Sequence, residues 1–311
     1  MNDIIKVSRL TKQFKNITAV NNLSFTVQEG DVYGFLGQNG AGKSTTIRML
    51  LTLIAPTFGD IEIFGLSLHH YRNKILQQIG AVIEKPDVYK YLSAIDNVKL
   101  FAKLSGVRPT DKELMNRLEI VGLAGRAGDL VKTFSQGMKQ RLGIAIALVH
   151  NPSLIILDEP TNGLDPQGIA DIRNLILHLS REQKKTIVIS SHLLSEIEQV
   201  ATKVLIIDKG EKIKEGLASE LFNPAQTLLE LVTLQNDMAW NYLQQSVWQS
   251  SLISKNKTSV LLKLDKNDIP KLNQYLVQHN INVLSLQHRN SLEDYFLQVT
   301  TGNQHVEAFS N

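Results

Sequence analysis

The sequence contains the stretch Gly37-Gln38-Asn39-Gly40-Ala41-Gly42-Lys43-Ser44-Thr45, which follows an apolar run and precedes a second, apolar-periodic run that begins at Ile47. This order predicts a strand, a glycine loop and a helix, which is the context that a P-loop requires. Glycines let backbone N–H groups turn toward a phosphate chain, and the start of the helix presents the positive end of its dipole to the same anion. Lys43 is therefore expected to reach the β- and γ-phosphates of a nucleotide, and the Ser44 hydroxyl is expected to hold Mg²⁺.

The composition is that of a globular protein with buried cores. The 311 residues, 43% of them hydrophobic, are enough for about two domains. The absence of cysteine excludes disulfides, zinc–thiolate sites and thiol catalysis. The net charge of +3 includes no block of like charges, so we expect no nucleic-acid partner. No apolar run approaches the ~20 residues of a membrane-spanning helix, so work at a membrane would need a partner.

Most of the chain predicts an α/β fold. Residues 4–8, 18–20 and 23–27 alternate between apolar and polar side chains, which predicts antiparallel strands with one wet face. The later strands are apolar without alternation, as a parallel sheet covered by helices on both faces requires. We expect these further strands at residues 61–64, 79–83, 154–157, 186–190 and 203–208, and helices near 70–78, 139–150 and 166–182.

The alternation of strands and helices is interrupted once and then ends. Residues 93–123 are helical in pattern, and we interpret them as part of a helical subdomain at about residues 86–150. The pattern changes again around residues 216–226, so we place a domain boundary between residues 222 and 223. Beyond it we expect a small α+β domain with strands near 228–234, 259–264 and 281–286, and helices near 237–246, 268–279 and 291–299. Because this domain has no glycine loop and no acidic pair at a strand end, a structural or regulatory role is favoured.

An acidic pair, Asp158 and Glu159, follows the apolar strand at residues 154–157. A carboxylate at the end of a buried strand beside a P-loop is placed to hold Mg²⁺ directly or through water. The next carboxylate, that of Glu159, can then polarise the attacking water. Such a pair is common at loop starts, but together with the glycine loop it predicts a site that hydrolyses phosphate.

Three other residues have both a structural and a functional interpretation. His192 follows another strand, and only its place at the same edge of the sheet favours a phosphate contact over a structural role. Asp165 precedes Pro166, so it is either a nucleotide contact or the N-cap of a helix. Phe14 lies among polar residues and could stack on a base, although its position alone favours cover for a strand edge.

Taken in order, five segments resemble the nucleotide-binding subunit of an ATP-binding cassette (ABC) transporter over roughly residues 3–220. They are residues 37–45, 134–141, 154–159 and 162–165, and His192. The resemblance implies a P-loop NTPase core, with a mixed sheet, an antiparallel β subdomain and an α-helical subdomain, that hydrolyses ATP with Mg²⁺. It also implies that Lys43, Glu159 and His192 are catalytic and that Phe14 and Asp165 contact the nucleotide.

The same resemblance implies a head-to-tail dimer, in which the P-loop of one copy faces Ser135 and Gly137 of the other. Ser135-Gln136-Gly137 precedes a helix, so it offers a second helix N-terminus to the γ-phosphate. One chain cannot enclose its own phosphate from both sides. ATP would therefore stabilise the dimer, and hydrolysis would release it.

Two features of the sequence depart from the common family pattern. The signature at residues 134–138 reads Phe-Ser-Gln-Gly-Met where Leu-Ser-Gly-Gly-Gln is widespread, and the strand at 79–83 ends on Glu84 where a glutamine that contacts Mg²⁺ is usual. Glutamate there resembles the subgroup that exports bacitracin-like and lantibiotic peptides, and the tail at 291–296 is similar to that of the broader export subfamily. Glu84 would be a third carboxylate near Asp158 and Glu159 and a Mg²⁺ ligand. The alternative is a solvated loop residue without metal contact.

We therefore expect a cytoplasmic ATPase subunit, peripheral to the inner face of the cell membrane, that powers export through a separate multi-span membrane subunit, with peptide antibiotics as the favoured cargo. One alternative is a soluble ABC ATPase that moves no solute, such as a translation or DNA-repair factor. Another is a regulatory nucleotide sensor whose output is the C-terminal domain. A single cassette with a short insertion favours transport, and an unrelated P-loop kinase or GTPase would have no use for the contact at Ser135.

Overall fold

The computed structural model describes residues 2–222 and 226–289. The chain divides into two compact units, Met1–Leu217 and Ala218–Asn311. This division lies a few residues before the domain boundary that the sequence predicts between residues 222 and 223. That domain boundary stays a prediction.

The first unit combines ten strands with seven helices in its described part. The strands are β1 (Asp3–Phe14), β2 (Ile17–Gln28), β3 (Val32–Leu36), β4 (Phe58–Ile63), β5 (Leu66–Ser67), β6 (Ile79–Ile83), β7 (Leu154–Asp158), β8 (Thr186–Ser191), β9 (Lys203–Asp208) and β10 (Glu211–Leu217). The helices are α1 (Lys43–Leu50), α2 (Arg72–Leu76), α3 (Ala94–Leu104), α4 (Asp111–Ile120), α5 (Gln136–Ala147), α6 (Pro166–Arg181) and α7 (Leu194–Val200). The predicted α/β fold is confirmed.

The central sheet has the strand order β10-β9-β3-β8-β7-β6. Its neighbours are parallel apart from β10, which pairs with β9 in the antiparallel sense. Every residue of β3, β7 and β8 is buried, which explains why these strands are apolar without alternation. Because parallel strands end at the same edge, the residues that follow β3, β6, β7 and β8 are brought together there.

A second, antiparallel sheet has the order β2-β1-β4-β5. Leu23, Phe25 and Val27 of β2 are buried, whereas Ser24 and Thr26 between them are half-buried. The alternation that predicted a wet face is therefore present. The aromatic side chains of Phe25, Tyr33 and Phe35 pack together, with ring centroids 5.1 to 5.8 Å apart, and join this sheet to β3.

The helical subdomain contains α3, α4 and α5, and both predicted bounds of α5 are wrong. The helix expected at residues 139–150 begins at Gln136 and ends at Ala147. Ser135 is its N-cap, since the Ser135 hydroxyl accepts a hydrogen bond of 3.2 Å from the Met138 N–H. The polar residues at the start of the helix concealed this earlier beginning. Among the described residues, no helix is both long and apolar enough to span a membrane.

The second unit starts with a short helix and continues as a β-α-β-β-α-β chain. Its elements are α8 (Ala218–Phe222), β11 (Gln226–Thr233), α9 (Asn236–Gln244), β12 (Leu252–Lys255), β13 (Val260–Asp265), α10 (Ile269–Gln278) and β14 (Val283–Arg289). The sheet order β12-β13-β11-β14, with antiparallel neighbours, is ferredoxin-like. The sequence did not predict β12. The helix expected near 291–299 and the tail at 291–296 lie outside the described residues.

Candidate functional site

The glycine loop joins β3 to α1 with an unusual helix start. Gly42 is the N-cap of α1, and its φ of 104° is one that other residues rarely adopt. A side chain there would also meet the Ala19 carbonyl oxygen at 2.7 Å. No side chain in the described residues caps this helix. Its first N–H groups are therefore available to an anion.

Lys43 lies over this loop and is only 4% exposed. Its ammonium donates to the carbonyl oxygens of Gly37 at 2.6 Å and Gln38 at 3.2 Å. It is also 3.1 Å from Glu159 Oε1. A buried cation with this much carbonyl and carboxylate support is held where a phosphate bound to the loop would meet it.

Asp158 ends β7 and is 1% exposed. The hydroxyl groups of Ser44 and Ser190 both donate to its Oδ1 atom, at 3.2 and 2.6 Å. The other oxygen, Oδ2, is buried and has no hydrogen-bond partner in the described part of the chain. A hydroxyl and a carboxylate with a free oxygen are the hard donors that Mg²⁺ prefers, so Ser44 and Asp158 fit such an ion.

Glu159 connects Lys43 to His192. Its backbone turns into the left-handed region, with a φ of 49°, which ends the strand. Its N–H donates to the Ser190 hydroxyl at 2.9 Å. While Oε1 faces Lys43, Oε2 lies 2.6 Å from His192 Nδ1. The structure therefore brings together the three residues that the sequence analysis predicted to be catalytic.

Lys43, Ser44, Asp158 and Glu159 line a cavity of 660 Å³, a size that suits a nucleotide, whereas His192 is not part of this lining. The cavity lining also includes residues that the sequence analysis did not select: Ala19, Ile83, Lys85, Gln136, Gln140 and Asn162. Asn162, Gln136 and Gln140 lie within the quoted motifs, so those motifs could have suggested them. Ala19 belongs to β2, and no local pattern signals that it approaches the loop.

Glu84 also lines the cavity, but its carboxylate points elsewhere. It pairs with Arg48 of α1, and its side chain is 64% exposed. The expected grouping of Glu84 with Asp158 and Glu159 is not formed, and no three acidic or histidine side chains of the described residues could jointly hold a metal. The Arg48 cation explains this, since it attracts Glu84 away from the two other carboxylates. Binding of Mg²⁺ by Glu84 stays a prediction.

The remaining predicted contacts lie apart from this cavity lining. Ser135 caps α5, and Gly137 is in its first turn. Asp165 Oδ1 accepts a hydrogen bond of 3.0 Å from Gly168 N–H, so the N-cap interpretation of Asp165 is confirmed. Phe14 ends β1 and is 45% exposed, with Lys12 Nζ 4.9 Å from its ring centroid. The nucleotide contacts of these residues stay predictions.

Two titratable groups beside the central sheet, His150 and Glu215, have shifted pKa values. Burial lowers the pKa of His150, and the nearby Arg117 and Lys185 lower it further. The neutral ring donates from Nε2 to the Ile79 carbonyl oxygen at 3.0 Å, beside β6. Burial alone would raise the pKa of Glu215, but hydrogen bonds from Lys212 and Tyr33 bring that pKa below its usual value. Both groups are structural.

Comparison with known proteins places these features in context. Residues 20–162 match the family model described as ABC transporter. The bacitracin transport ATP-binding protein BcrA of Bacillus licheniformis is 44% identical, over 97% of this chain and 99% of BcrA. The lantibiotic transport ATP-binding protein SrtF of Streptococcus pyogenes is 43% identical, over 68% of this chain and 90% of SrtF.

A solved structure shares the cassette fold. The dimeric, post-hydrolysis structure of the ATP-binding cassette MJ0796, bound to ADP and Pi, has a TM-score of 0.62 and 26% identity to this chain. The superposition covers 69% of this chain and 98% of the cassette.

Proposed function

This chain belongs to the family of ABC transporter ATP-binding proteins and is an ATPase, and on that basis we propose that it powers export of a peptide antibiotic through a separate multi-span membrane subunit. The observation that carries the ATPase chemistry is the position of the Glu159 carboxylate between Lys43 and His192. The cargo is proposed from the names of the relatives, which transport bacitracin and lantibiotics. The match to BcrA along 97% of this chain supports transport over a soluble factor or a nucleotide sensor.

Binding begins at the glycine loop. The N–H groups at the start of α1 donate hydrogen bonds to the phosphate chain of ATP, and the Lys43 ammonium moves its contact from Glu159 to β- and γ-phosphate oxygens. Breaking the ion pair between Lys43 and Glu159 leaves the carboxylate free to accept a hydrogen bond from water. Substrate binding thereby prepares the base.

Hydrolysis follows by attack of this water on the γ-phosphorus. Glu159 orients the water and accepts its proton as the new oxygen–phosphorus bond forms. The bond from the γ-phosphorus to the bridging oxygen breaks, and ADP leaves with the electron pair. His192 holds Glu159 through the 2.6 Å contact at Oε2, so the other oxygen is directed at the water.

Ser44 and Asp158 are the residues that would hold Mg²⁺, with Glu84 as a further ligand. When bound, the ion offsets the negative charge of the β- and γ-phosphates. The Ser190 hydroxyl, which donates to Asp158 Oδ1, orients that carboxylate so that its unpaired Oδ2 faces a ligand.

A second copy completes the site. We place Ser135 and Gly137 of that copy against the γ-phosphate, because they lie at the N-terminus of α5 and do not line the cavity of their own chain in its described part. Phe14, with its exposed ring, stacks on the adenine, and Asp165 lies near the same interface. The cassette MJ0796, which is dimeric with ADP and Pi, supports this arrangement.

Glu159→Gln tests the chemistry. It keeps the side-chain shape and removes the base, so we expect ATP turnover to fall about 1,000-fold while ATP affinity stays within about two-fold. ATP should then accumulate a dimer, measured by light scattering with and without ATP. Glu182→Gln, at the exposed end of α6, is the matched control. Turnover of Glu159→Gln at the wild-type rate would contradict the assignment.

Export is tested separately, by co-purification of the tagged chain from cell membranes. We expect the chain, bound at the inner face of the membrane, to co-purify with a multi-span membrane protein in stoichiometric amount. The reconstituted pair should show faster ATP hydrolysis when bacitracin or a lantibiotic is added. Recovery of an active ATPase with no membrane protein would favour a soluble ABC ATPase instead.

A further inference from the structure

The wall of the cavity contains a buried amide with an unused hydrogen-bond donor. Gln140 of α5 is 4% exposed and lines the cavity. Within residues 2–222 and 226–289, no acceptor pairs with its Nε2 atom. Because an unpaired buried amide costs free energy, it indicates either a ligand or a second arrangement of neighbouring groups. The partner of this amide must therefore enter the cavity or move within it.

Close contacts define how α5 runs along β6. A Cβ atom on Gly80 would lie 2.3 Å from the Ala147 carbonyl oxygen, and one on Gly143 would lie 3.7 Å from Val82 Cγ1. Four residues back along the helix, about 6 Å, thus correspond to two residues forward along the strand, about 6.6 Å. Helix α5 and strand β6 therefore run in opposite directions, and four residues of the helix lie alongside two residues of the strand.

In the same direction, the next turn of α5 brings Gln140 beside the end of β6. Gln140 precedes Gly143 by three residues, so the two lie on the same face of the helix. A Cβ atom on Gly143 would lie 2.7 Å from the Pro86 side chain, so this face packs on the loop that follows β6. Glu84 is in that loop and lines the same cavity as Gln140.

The present partner of Glu84 is weak. Its carboxylate pairs with Arg48, but the two side chains are 64% and 42% exposed. Exposed ion pairs are stabilised little because water competes for both charges. The Glu84 backbone has a φ of 56°, in the left-handed region, which marks a sharp turn at this point. The carboxylate can therefore leave Arg48 at small cost.

We propose that Gln140 is a positioning residue that takes the Glu84 carboxylate from Arg48 and directs it toward Ser44 and Asp158 when nucleotide and Mg²⁺ bind. The Gln140 Nε2 atom donates to one Glu84 oxygen and leaves the other for the ion. Arg48 holds the same carboxylate in the outward position, so Arg48 and Gln140 compete for it. This inference rests on the proposed metal role of Glu84.

The test measures metal binding without turnover. Mn²⁺ serves as the probe for the Mg²⁺ site and is titrated into the full chain with adenylyl-imidodiphosphate, with free Mn²⁺ measured by electron paramagnetic resonance. Gln140→Leu keeps the volume of the side chain and removes its amide. We expect it to weaken Mn²⁺ binding about five-fold, and Arg48→Met to strengthen it about two-fold. Nucleotide affinity without divalent ion should stay within about two-fold.

A double-mutant cycle separates positioning from a structural effect. In a Glu84→Ala background, Gln140→Leu should change Mn²⁺ affinity no further, because the group that it positions is gone. An equal loss in both backgrounds would overturn the inference. Gln244→Leu, on an exposed face of α9 in the second unit, is the matched control.

The other outcomes assign failure to different steps. A weaker Mn²⁺ affinity for Glu84→Ala, with no effect of Gln140→Leu, would overturn the positioning role alone. Unchanged Mn²⁺ affinity for Glu84→Ala would overturn the metal role of Glu84 and this inference with it. Failure of the wild-type chain to bind nucleotide would overturn the proposed function.

Discussion

The two units have similar building blocks and different edges. Both pack helices on a sheet, and both have a fully buried apolar core. In the first unit β3, β8, β7 and β6 are parallel neighbours, so the residues that follow them converge. In the second unit neighbouring strands are antiparallel, so their ends alternate between two edges. Strand direction, more than composition, decides where polar groups can meet.

The polar contacts of the second unit illustrate this difference. Asn236 Oδ1 accepts from Thr233 N–H at 2.9 Å, and Asn256 Oδ1 accepts from Ser259 N–H at 2.7 Å. These side chains close the turns beside their own strands. These two contacts join residues three apart in the chain. The contacts from Lys43 through Glu159 to His192, in contrast, join three separate segments of the chain.

Of the three substitutions that test this comparison, Lys43→Ala has the largest expected effect, and it tests the nucleotide site of the first unit. Removal of the ammonium deletes charge-assisted contacts to the phosphates, each worth about 1.5–3 kcal/mol, so we expect ATP affinity to fall about 100-fold. Isothermal titration with ATP measures it. Lys132→Ala, an exposed lysine, is the control. Unchanged affinity would mean that the first unit binds nucleotide elsewhere.

Leu231→Ala has an intermediate expected effect and tests the same comparison in the second unit. Leu231 is fully buried in β11, so its truncation should lower the free energy of unfolding of the second unit by about 3 kcal/mol. Both tryptophans of the chain, Trp240 and Trp248, lie in this unit, and their fluorescence reports its unfolding in urea.

ATP turnover of Leu231→Ala should stay at the wild-type rate under native conditions, because the catalytic groups lie in the first unit. Leu284→Ala, at a 60% exposed position of β14, is the matched control and should shift the transition little. Loss of turnover in Leu231→Ala without unfolding of the first unit would show that the second unit takes part in hydrolysis.

His150→Gln is the smallest expected effect. Because the folded state lowers the pKa of His150 below the usual 6.5, the unfolded chain takes up the proton first as the pH falls. The wild type should therefore lose stability below about pH 6.5, and glutamine, which is uncharged and still donates to Ile79, should reduce this loss.

Thermal melting of the first unit at pH 7.5 and pH 5.5 measures the effect of His150→Gln. His178→Gln, at an exposed position of α6, controls for the general change of histidine content. An equal acid-induced shift of the melting temperature in wild type and His150→Gln would contradict the burial argument.

Much of the site could be predicted because its residues lie in local patterns. The family resemblance drawn from five segments is confirmed. The strand–loop–helix order around Lys43 is local, and so is the position of Asp158 at a strand end. The helix start at Ser135 was misplaced because Gln136 and Gly137 lack an apolar periodicity, although the serine cap itself is a local signal.

The sequence alone determined the glycine loop, the acidic pair and the strands that carry them, because these depend on neighbours along the chain. Only the tertiary structure decided that Glu84 pairs with Arg48, that Gln140 is buried beside the same loop, and that Glu159 lies between Lys43 and His192. Those contacts depend on strand order and helix packing, which join residues far apart in the chain. No local pattern records such distances.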